Sequence, residues 1–329
     1  MKKELQPIIA AMQDKKILII GDMVADIYID GRISRISREA PVLVLEQAGE
    51  KIVPGGAANV VNNVATLGGN ALAVGVLGDD HAAEGLKKAL QQNKAVTSGF
   101  ITDISRPTIS KTRIIAGGRA TVSQQIVRLD KESRELLSAT IEDKLQEKLT
   151  TLLPQVDGVV ISDYGAGTVT PKIQQQIINY CRKHNIPSMV DSRYDIHRFK
   201  NIGYVKQNDA ELAAAVGREL PDEDALYEAG QELLSELEAD GVLVTRGELG
   251  MVLFEKDGAI HNIPVSDKSE VFDVSGAGDT CVATVILALA ADVEPEKAAE
   301  LSNIASGIAV RKLGTSTVSA VELASVLED

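Results

Sequence analysis

Cysteine is nearly absent from this sequence. Its 329 residues hold two, Cys181 and Cys281, a hundred positions apart and each in a helix-like context. That excludes a disulfide framework and suits reduced, buried thiols in a cytoplasmic protein. Histidine is scarce as well: His81, His184, His197 and His261 show no metal-ligand spacing. Long apolar runs are missing. The longest, residues 280–291, is too short for a bilayer and reads as a buried helix, and the opening Met-Lys-Lys-Glu-Leu-Gln-Pro lacks a signal-peptide core. Basic charge is in deficit, with 34 Lys and Arg against 47 Asp and Glu and a net charge of −13. Nucleic acid or an anionic membrane is therefore a poor main partner, and an anionic substrate would need a local basic pocket. No G-x-x-x-x-G-K-[ST] occurs, so a nucleotide is not held by a P-loop. No G-x-G-x-x-G follows the first strand, which makes a doubly wound dehydrogenase remote. No Gly/Pro/Ser linker or repeat divides the chain.

What is present begins with 44% hydrophobic residues, enough for a sizeable core. The chain is organised around Val271-Phe-Asp-Val-Ser-Gly-Ala-Gly-Asp-Thr280, which runs into the apolar segment 281–289. The pattern predicts a strand-to-helix turn in which Gly276, Ala277 and Gly278 leave backbone N–H groups uncovered at a helix N-terminus. Such a terminus attracts phosphate-like anions. Asp279 beside it would repel an anion unless it takes a proton from the attacking group, so the stretch reads as phosphoryl transfer. The alternative is a tight turn with Asp279 as an ordinary helix N-cap.

Taken in order, a short amphipathic helix over 3–14 precedes Lys16-Ile-Leu-Ile-Ile20, a continuous apolar run typical of a buried parallel strand. It ends at Gly21-Asp-Met-Val-Ala-Asp26, with Asp22 and Asp26 where ligands bind in open α/β sheets, although turn formation or capping would also explain Asp22. Residues 27–53 and 99–130 read as two β-only inserts that combine into one small sheet over the strand ends. They carry Arg32, Arg35, Arg38, Lys111, Arg113, Arg119 and Arg128, an enrichment that a phosphate-bearing substrate would require and that solvated edge strands would also show. Between the inserts, Pro54-Gly-Gly-Ala-Ala-Asn59 opens a helix, with Gly55 and Gly56 allowing close approach and Asn59 a candidate sugar contact. Residues 132–153 are predicted as one long surface helix. A third acidic strand end comes at Asp163-Tyr-Gly-Ala-Gly167. Asn208-Asp-Ala-Glu211 places an Asn and a Glu on one helical face, able to reach a phosphate–metal cluster or to form a capping box. Thr245-Arg-Gly-Glu-Leu-Gly250, with Gly247 and Gly250, suits a turn lying against a nucleotide.

Gly55-Gly-Ala-Ala-Asn59 and Asp273-Val-Ser-Gly-Ala-Gly-Asp279 together resemble the two signatures of the ribokinase-like (PfkB) sugar kinases, and the βα rhythm between them fits across essentially the whole chain. Ser34-Arg-Ile-Ser-Arg-Glu-Ala-Pro41, Gln125-Ile-Val-Arg-Leu-Asp130, Ser162-Asp-Tyr164 and Lys312-Leu-Gly-Thr-Ser-Thr-Val-Ser319 look like the D-glycero-β-D-manno-heptose 7-phosphate kinases within that family. The resemblance implies an α/β fold, a ribokinase-like three-layer sandwich with a central mostly parallel sheet and a small β-sheet lid, as one domain over 1–329. It implies ATP-dependent transfer to the anomeric C1 hydroxyl of a heptose 7-phosphate, en route to ADP-heptose and lipopolysaccharide. Another acceptor, such as fructose or ribose, is the alternative within the family, and a catalytically silent sugar- or nucleotide-binding regulator is the alternative outside it.

The resemblance also implies roles. Asp279 would be the catalytic base, Gly276, Ala277 and Gly278 the anion hole, and Asn208, Asp209, Ala210 and Glu211 the nucleotide-phosphate and magnesium region, with Glu211 reaching Mg²⁺ through water or phosphate. Asp26, Gly55, Gly56, Asn59 and Asp163 would contact the sugar, and the charge pattern assigns Lys111, Arg113 and Arg128 to its distal phosphate. A monovalent cation such as K⁺ near residues 313–317 and a homodimer through the lid complete the expectation. The family's usual Asp-Pro-Lys or Asp-Pro-Arg is Asp191-Ser-Arg193 here, and its usual Thr-Pro-Asn is Lys206-Gln-Asn208. No His-x-Gly-His of a fused nucleotidyltransferase occurs, so the expectation is a stand-alone kinase or the kinase part of a fusion.

Overall fold

The computed structural model describes residues 2–117, 123–265 and 272–328; Arg119 and Val271 of the reading above lie outside them. The elements in chain order are α1 (Lys2–Ala11), β1 (Lys16–Gly21), β2 (Met23–Ile36), β3 (Leu43–Gly56), α2 (Ala57–Thr66), β4 (Asn70–Leu77), α3 (His81–Gln92), β5 (Val96–Thr102), β6 (Ser110–Gly117) and β7 (Gln124–Lys131). There follow α4 (Ala139–Leu152), β8 (Gly158–Asp163), α5 (Pro171–His184), β9 (Ser188–Ser192), β10 (Tyr204–Asn208), α6 (Asp209–Val216) and α7 (Glu223–Leu237). The chain finishes with β11 (Gly241–Thr245), β12 (Met251–Glu255), β13 (Ile260–Ile263), α8 (Ala277–Ala290), α9 (Pro295–Ala309) and α10 (Ala320–Glu328).

Nine strands form the main sheet in the order β13-β12-β11-β10-β9-β8-β1-β4-β5. From β11 to β5 every pairing is parallel, and β12 and β13 add an antiparallel edge. β1 is an interior strand between β8 and β4, buried on both faces, which is why its residues read as one apolar run rather than alternating. Ile17 and Ile19 join one core with α2 and α8, while Leu18 and Ile20 join the other with α4, α5 and α7. The result is three layers, helices on each side of the sheet. α8 is buried from Asp279 to Ala290, so its apolar character on all sides is that of a core helix. Among the described residues no helix is long and apolar enough to cross a membrane.

The lid is a second sheet, ordered β3-β2-β6-β7. β2 pairs antiparallel with β3 and parallel with β6, and β6 pairs antiparallel with β7. Both inserts supply it, as their alternating patterns imply. Its boundary moves, however: residues 99–102, read as part of the second insert, belong to β5 at the edge of the main sheet. The long helix expected over 132–153 begins only at Ala139, because the Ser138 side chain caps it by accepting from the Ile141 N–H. Among the described residues no strand leads directly into α8. There the N–H groups of Phe272 and Asp273 both donate to the carbonyl of Val310, and the side chains of Phe272 and Val274 face solvent.

Candidate active site

The carboxyl ends of β1, β8, β9, β10 and β11 open toward the lid and the N-terminus of α8, where an open α/β sheet places its ligands. Two cavities of about 800 Å³ each meet there. One lies beneath the lid and the other runs along α8 toward the turn after β11. Tyr164, Arg193, Ser275, Gly276 and Asp279 line both. Asp279 is therefore at the junction.

Asp279 sits in the first turn of α8 and is not its cap. The cap is Gly276, with φ of 83°, a left-handed conformation that favours glycine. The Asp279 Oδ2 accepts from the Asn59 Nδ2 at 2.7 Å and Oδ1 from the Tyr164 hydroxyl at 3.4 Å. Burial raises its pKa to about 6, against the pull of the Asn59 hydrogen bond. Burial and the neighbouring Asp279 charge push the Tyr164 phenol well above its ordinary value, so it remains a donor. Gly276 and Gly278 line the second cavity. The Ala277 N–H, expected to be a third free donor, instead closes a turn on the Val274 carbonyl at 3.3 Å.

Lys206 is the group the sequence reading passed over. It is only 6% exposed, its Nζ lies 3.4 Å from both Asp191 oxygens and 3.7 Å from Glu211 Oε2, and it lines the second cavity. Burial would depress its pKa, but Asp191 and Glu211 outweigh that and hold it charged. A Cβ on Gly278 would come within 3.0 Å of this ammonium, which places the cation beside the first turn of α8. A lysine inside the inner strand Tyr204-Val-Lys-Gln-Asn208 was the available signal. Arg193 lies over the Tyr164 ring, 4.5 Å from its centroid. Both residues had been noted only as parts of motifs.

The remaining expectations divide. Asn208, Glu211, Thr245, Gly247 and Gly250 line the second cavity. Asn208 and Glu211 nonetheless form a capping box: Asn208 Oδ1 accepts from the Glu211 N–H at 2.7 Å, and Glu211 Oε2 from the Asn208 N–H at 2.8 Å. Asp209 and Ala210 point into solvent and line neither cavity. Asp26, Gly56, Lys111, Arg113 and Arg128 line the lid cavity. Arg32, Arg35 and Arg38 are exposed at the lid tip, away from it.

Three expected sugar contacts have other partners. Asn59 is fully buried and holds Asp279, and its Oδ1 accepts from Asn63 at 3.3 Å. Asp163 turns its carboxylate to Ser192 at 2.9 Å and to Arg198 at 2.7 Å, so its neighbour Tyr164 lines the cavities in its place. Gly55 lies behind Asp26, where a Cβ would fall 2.2 Å from Oδ2. Asp22 also proves structural. Fully buried, it accepts from the N–H groups of Tyr164, Ala166 and Thr168 and so shapes the loop after β8.

A model of the pfkB family carbohydrate kinases matches residues 14–322. The chain belongs to that family. It is a phosphotransferase whose acceptor is an alcohol group. Among curated family relatives, the "Bifunctional protein HldE" of Geobacter metallireducens is 39% identical over 323 residues, covering 98% of this chain and 65% of that protein. The protein of the same name from Azorhizobium caulinodans is 40% identical, covering 97% of this chain and 66% of its own length. The chain thus spans less than two thirds of the relatives it matches. In fold it is similar to Escherichia coli phosphofructokinase-2 solved with potassium, at a TM-score of 0.74 and 22% identity over 96% of this chain and 100% of that one. It is likewise similar to Arabidopsis thaliana ribokinase solved with ribose and ATP, at 0.73 and 17% over 96% and 99%.

Proposed function

We propose that this kinase transfers the γ-phosphoryl group of ATP to the anomeric C1 hydroxyl of D-glycero-β-D-manno-heptose 7-phosphate, giving the 1,7-bisphosphate used for ADP-heptose and lipopolysaccharide precursors. The observation that carries the reading is the place of Asp279 at the junction of a cation-lined cavity and a second cavity walled by the turn after β11. The sugar phosphate occupies the first and the nucleotide the second. Asp279 takes the C1 hydroxyl proton as the oxygen attacks phosphorus. The backbone N–H groups of Gly276 and Gly278 and the Lys206 ammonium face the charge that builds on the transferred oxygens. Asn59 and Tyr164 orient the base. Lys111, Arg113 and Arg128, on one face of β6 and β7, hold the distal phosphate.

Magnesium enters with the nucleotide. Among the described residues no three His, Cys, Asp or Glu side chains converge, which suits an ion held mainly by phosphate and water with one or two carboxylates. Asp191 and Glu211, flanking Lys206, are the carboxylates at that end of the cavity. When bound, the ion offsets phosphate charge. Residues 313–317 fit a potassium ion less well, because the Lys312 ammonium already donates to the Thr317 carbonyl at 2.7 Å and pairs with Glu322 at 2.6 Å. The lid offers a dimer surface: Ile36, Val42, Leu43 and Leu129 are exposed on it, and β3 and β7 are its free edges.

ADP release measured with ATP and a panel of plain and phosphorylated sugars tests the reading. The expected result is the highest kcat/KM for the heptose 7-phosphate; a higher value for plain fructose or ribose refutes it.

A further inference from the structure

Two charged side chains of the lid cavity are engaged with each other. Asp26 comes from β2 where that strand leaves the main body, and Arg113 from β6 of the lid, in register with Tyr28. The guanidinium Nη1 donates to Asp26 Oδ1 at 2.6 Å and lies over the Tyr28 ring, 5.3 Å from its centroid. The other carboxylate oxygen, Oδ2, accepts from the Thr315 hydroxyl at 3.3 Å. Both oxygens of a carboxylate only 6% exposed thus have partners inside the chain. An acceptor hydroxyl therefore meets Asp26 in competition with the Arg113 and Thr315 groups already bound to it.

Arg113 also has two cationic neighbours. It stands directly opposite Arg128 in the β6–β7 pairing, and Lys111 is two residues along the same strand, on the same face. Like charges at paired positions repel each other. Asp130 offsets part of this charge, accepting from the Arg128 Nε at 2.9 Å and standing opposite Lys111, and an anion between the three cations would offset the rest. A phosphate dianion carries more charge than a carboxylate and presents several oxygens to a guanidinium fork, so it competes with Asp26 for Arg113 on favourable terms.

We propose that the phosphate of a sugar phosphate draws Arg113 off Asp26 and thereby releases that carboxylate to bind the sugar's hydroxyl groups. One ion pair is exchanged for another, and no covalent bond changes. The inference rests on the acceptor being phosphorylated. It adds that phosphate and hydroxyl recognition are coupled through a single residue. A plain sugar meets Asp26 already paired and has nothing to offer Arg113, so Arg113 both anchors the right acceptor and excludes the wrong one.

The test measures ADP release with D-glycero-D-manno-heptose 7-phosphate and with the plain heptose, using the wild type and Arg113→Met, which keeps an unbranched stem over Tyr28. With the 7-phosphate, kcat/KM should fall at least about tenfold in the variant. With the plain heptose it should rise about tenfold, equivalent to about 1.4 kcal/mol. A second arm needs no variant: inorganic phosphate added to the wild type with plain heptose should lower its KM saturably, and should leave Arg113→Met unmoved. If Arg113 is a phosphate ligand and nothing more, the variant gains nothing with plain heptose and added phosphate does not lower the wild-type KM. That result overturns the exchange and leaves the phosphorylated acceptor standing. Equal wild-type kcat/KM for the two sugars overturns both.

Discussion

The Asn59 amide donates to the Asp279 carboxylate at 2.7 Å, joining residues 220 positions apart in the chain. Their helices are stitched a second time, by the Thr280 hydroxyl donating to Asn63 at 2.9 Å. The family's two signatures therefore meet as one device, the early one orienting the late one. The cost of that device falls on Asp279. Its folded pKa, about 6 against an ordinary 3.8, means the ionised form is disfavoured by burial. The folded state gains stability from proton binding as pH falls between those values and forgoes it above pH 6, by about 2–3 kcal/mol. Asp279→Asn should thus melt higher than the wild type at pH 8 while losing at least about a hundredfold in kcat. Near-normal turnover, or a lower melting temperature with intact nucleotide binding, would refute the assignment.

The same residue sets an acid limb. A base must be ionised, so kcat/KM should decline as pH drops through about 6. Asn59 favours the charged form, and Asn59→Ala should move the limb to higher pH as well as lowering the plateau. A limb that stays in place in the variant would mean that some other group titrates.

Two glycines separate binding from chemistry. A Cβ at position 55 would stand 2.2 Å from Asp26 Oδ2, so Gly55→Ala should raise the acceptor KM by about tenfold or more and leave the ATP KM alone. A Cβ at position 276 would stand 2.8 Å from Asn59 Nδ2 at a φ of 83°, so Gly276→Ala should lower kcat instead. Steady-state kinetics in both substrates distinguish these outcomes.

Asp163 is structural on the geometry reported above. Asp163→Ala leaves Arg198 and Ser192 without their buried acceptor and should destabilise the fold by about 1–3 kcal/mol. The acceptor KM of the remaining folded enzyme should change by less than about twofold. A large KM effect in urea-free assays, with little loss of stability, would return Asp163 to the sugar site.

Lys206→Met would leave Asp191 and Glu211 facing each other in the interior, a loss on the order of 3–5 kcal/mol. Adding Asp191→Asn should recover much of the denaturation midpoint without restoring ATP affinity. Recovery of both would reduce Lys206 to a structural counter-ion.

Much of the fold was legible in the residues. β1 and β8 are buried on both faces and read as unbroken apolar runs, and the inserts alternate as half-exposed strands do. The segment before α8 misleads, because Val271-Phe-Asp-Val reads as an extended, apolar-flanked piece while the N–H groups of Phe272 and Asp273 turn to a single carbonyl, that of Val310 at the end of α9. Within the site, residue type pointed to Asp279, the glycines beside it and Lys111, Arg113 and Arg128, all of which line the two cavities. It could not say that Asn59 faces a carboxylate rather than a sugar, or that Asp163 finds Arg198, since those partners are chosen by packing between distant segments. Lys206 was overlooked because its charge is balanced by Asp191, on a neighbouring strand.

Because β1 lies between β4 and β8, it stays half-paired during synthesis until residue 158 has followed it. Asp279, the proposed base, comes later still. A chain that stops short of α8 lacks both that carboxylate and the α8 and α9 wall of the second cavity. Premature termination should therefore yield inert polypeptide rather than a wasteful ATPase.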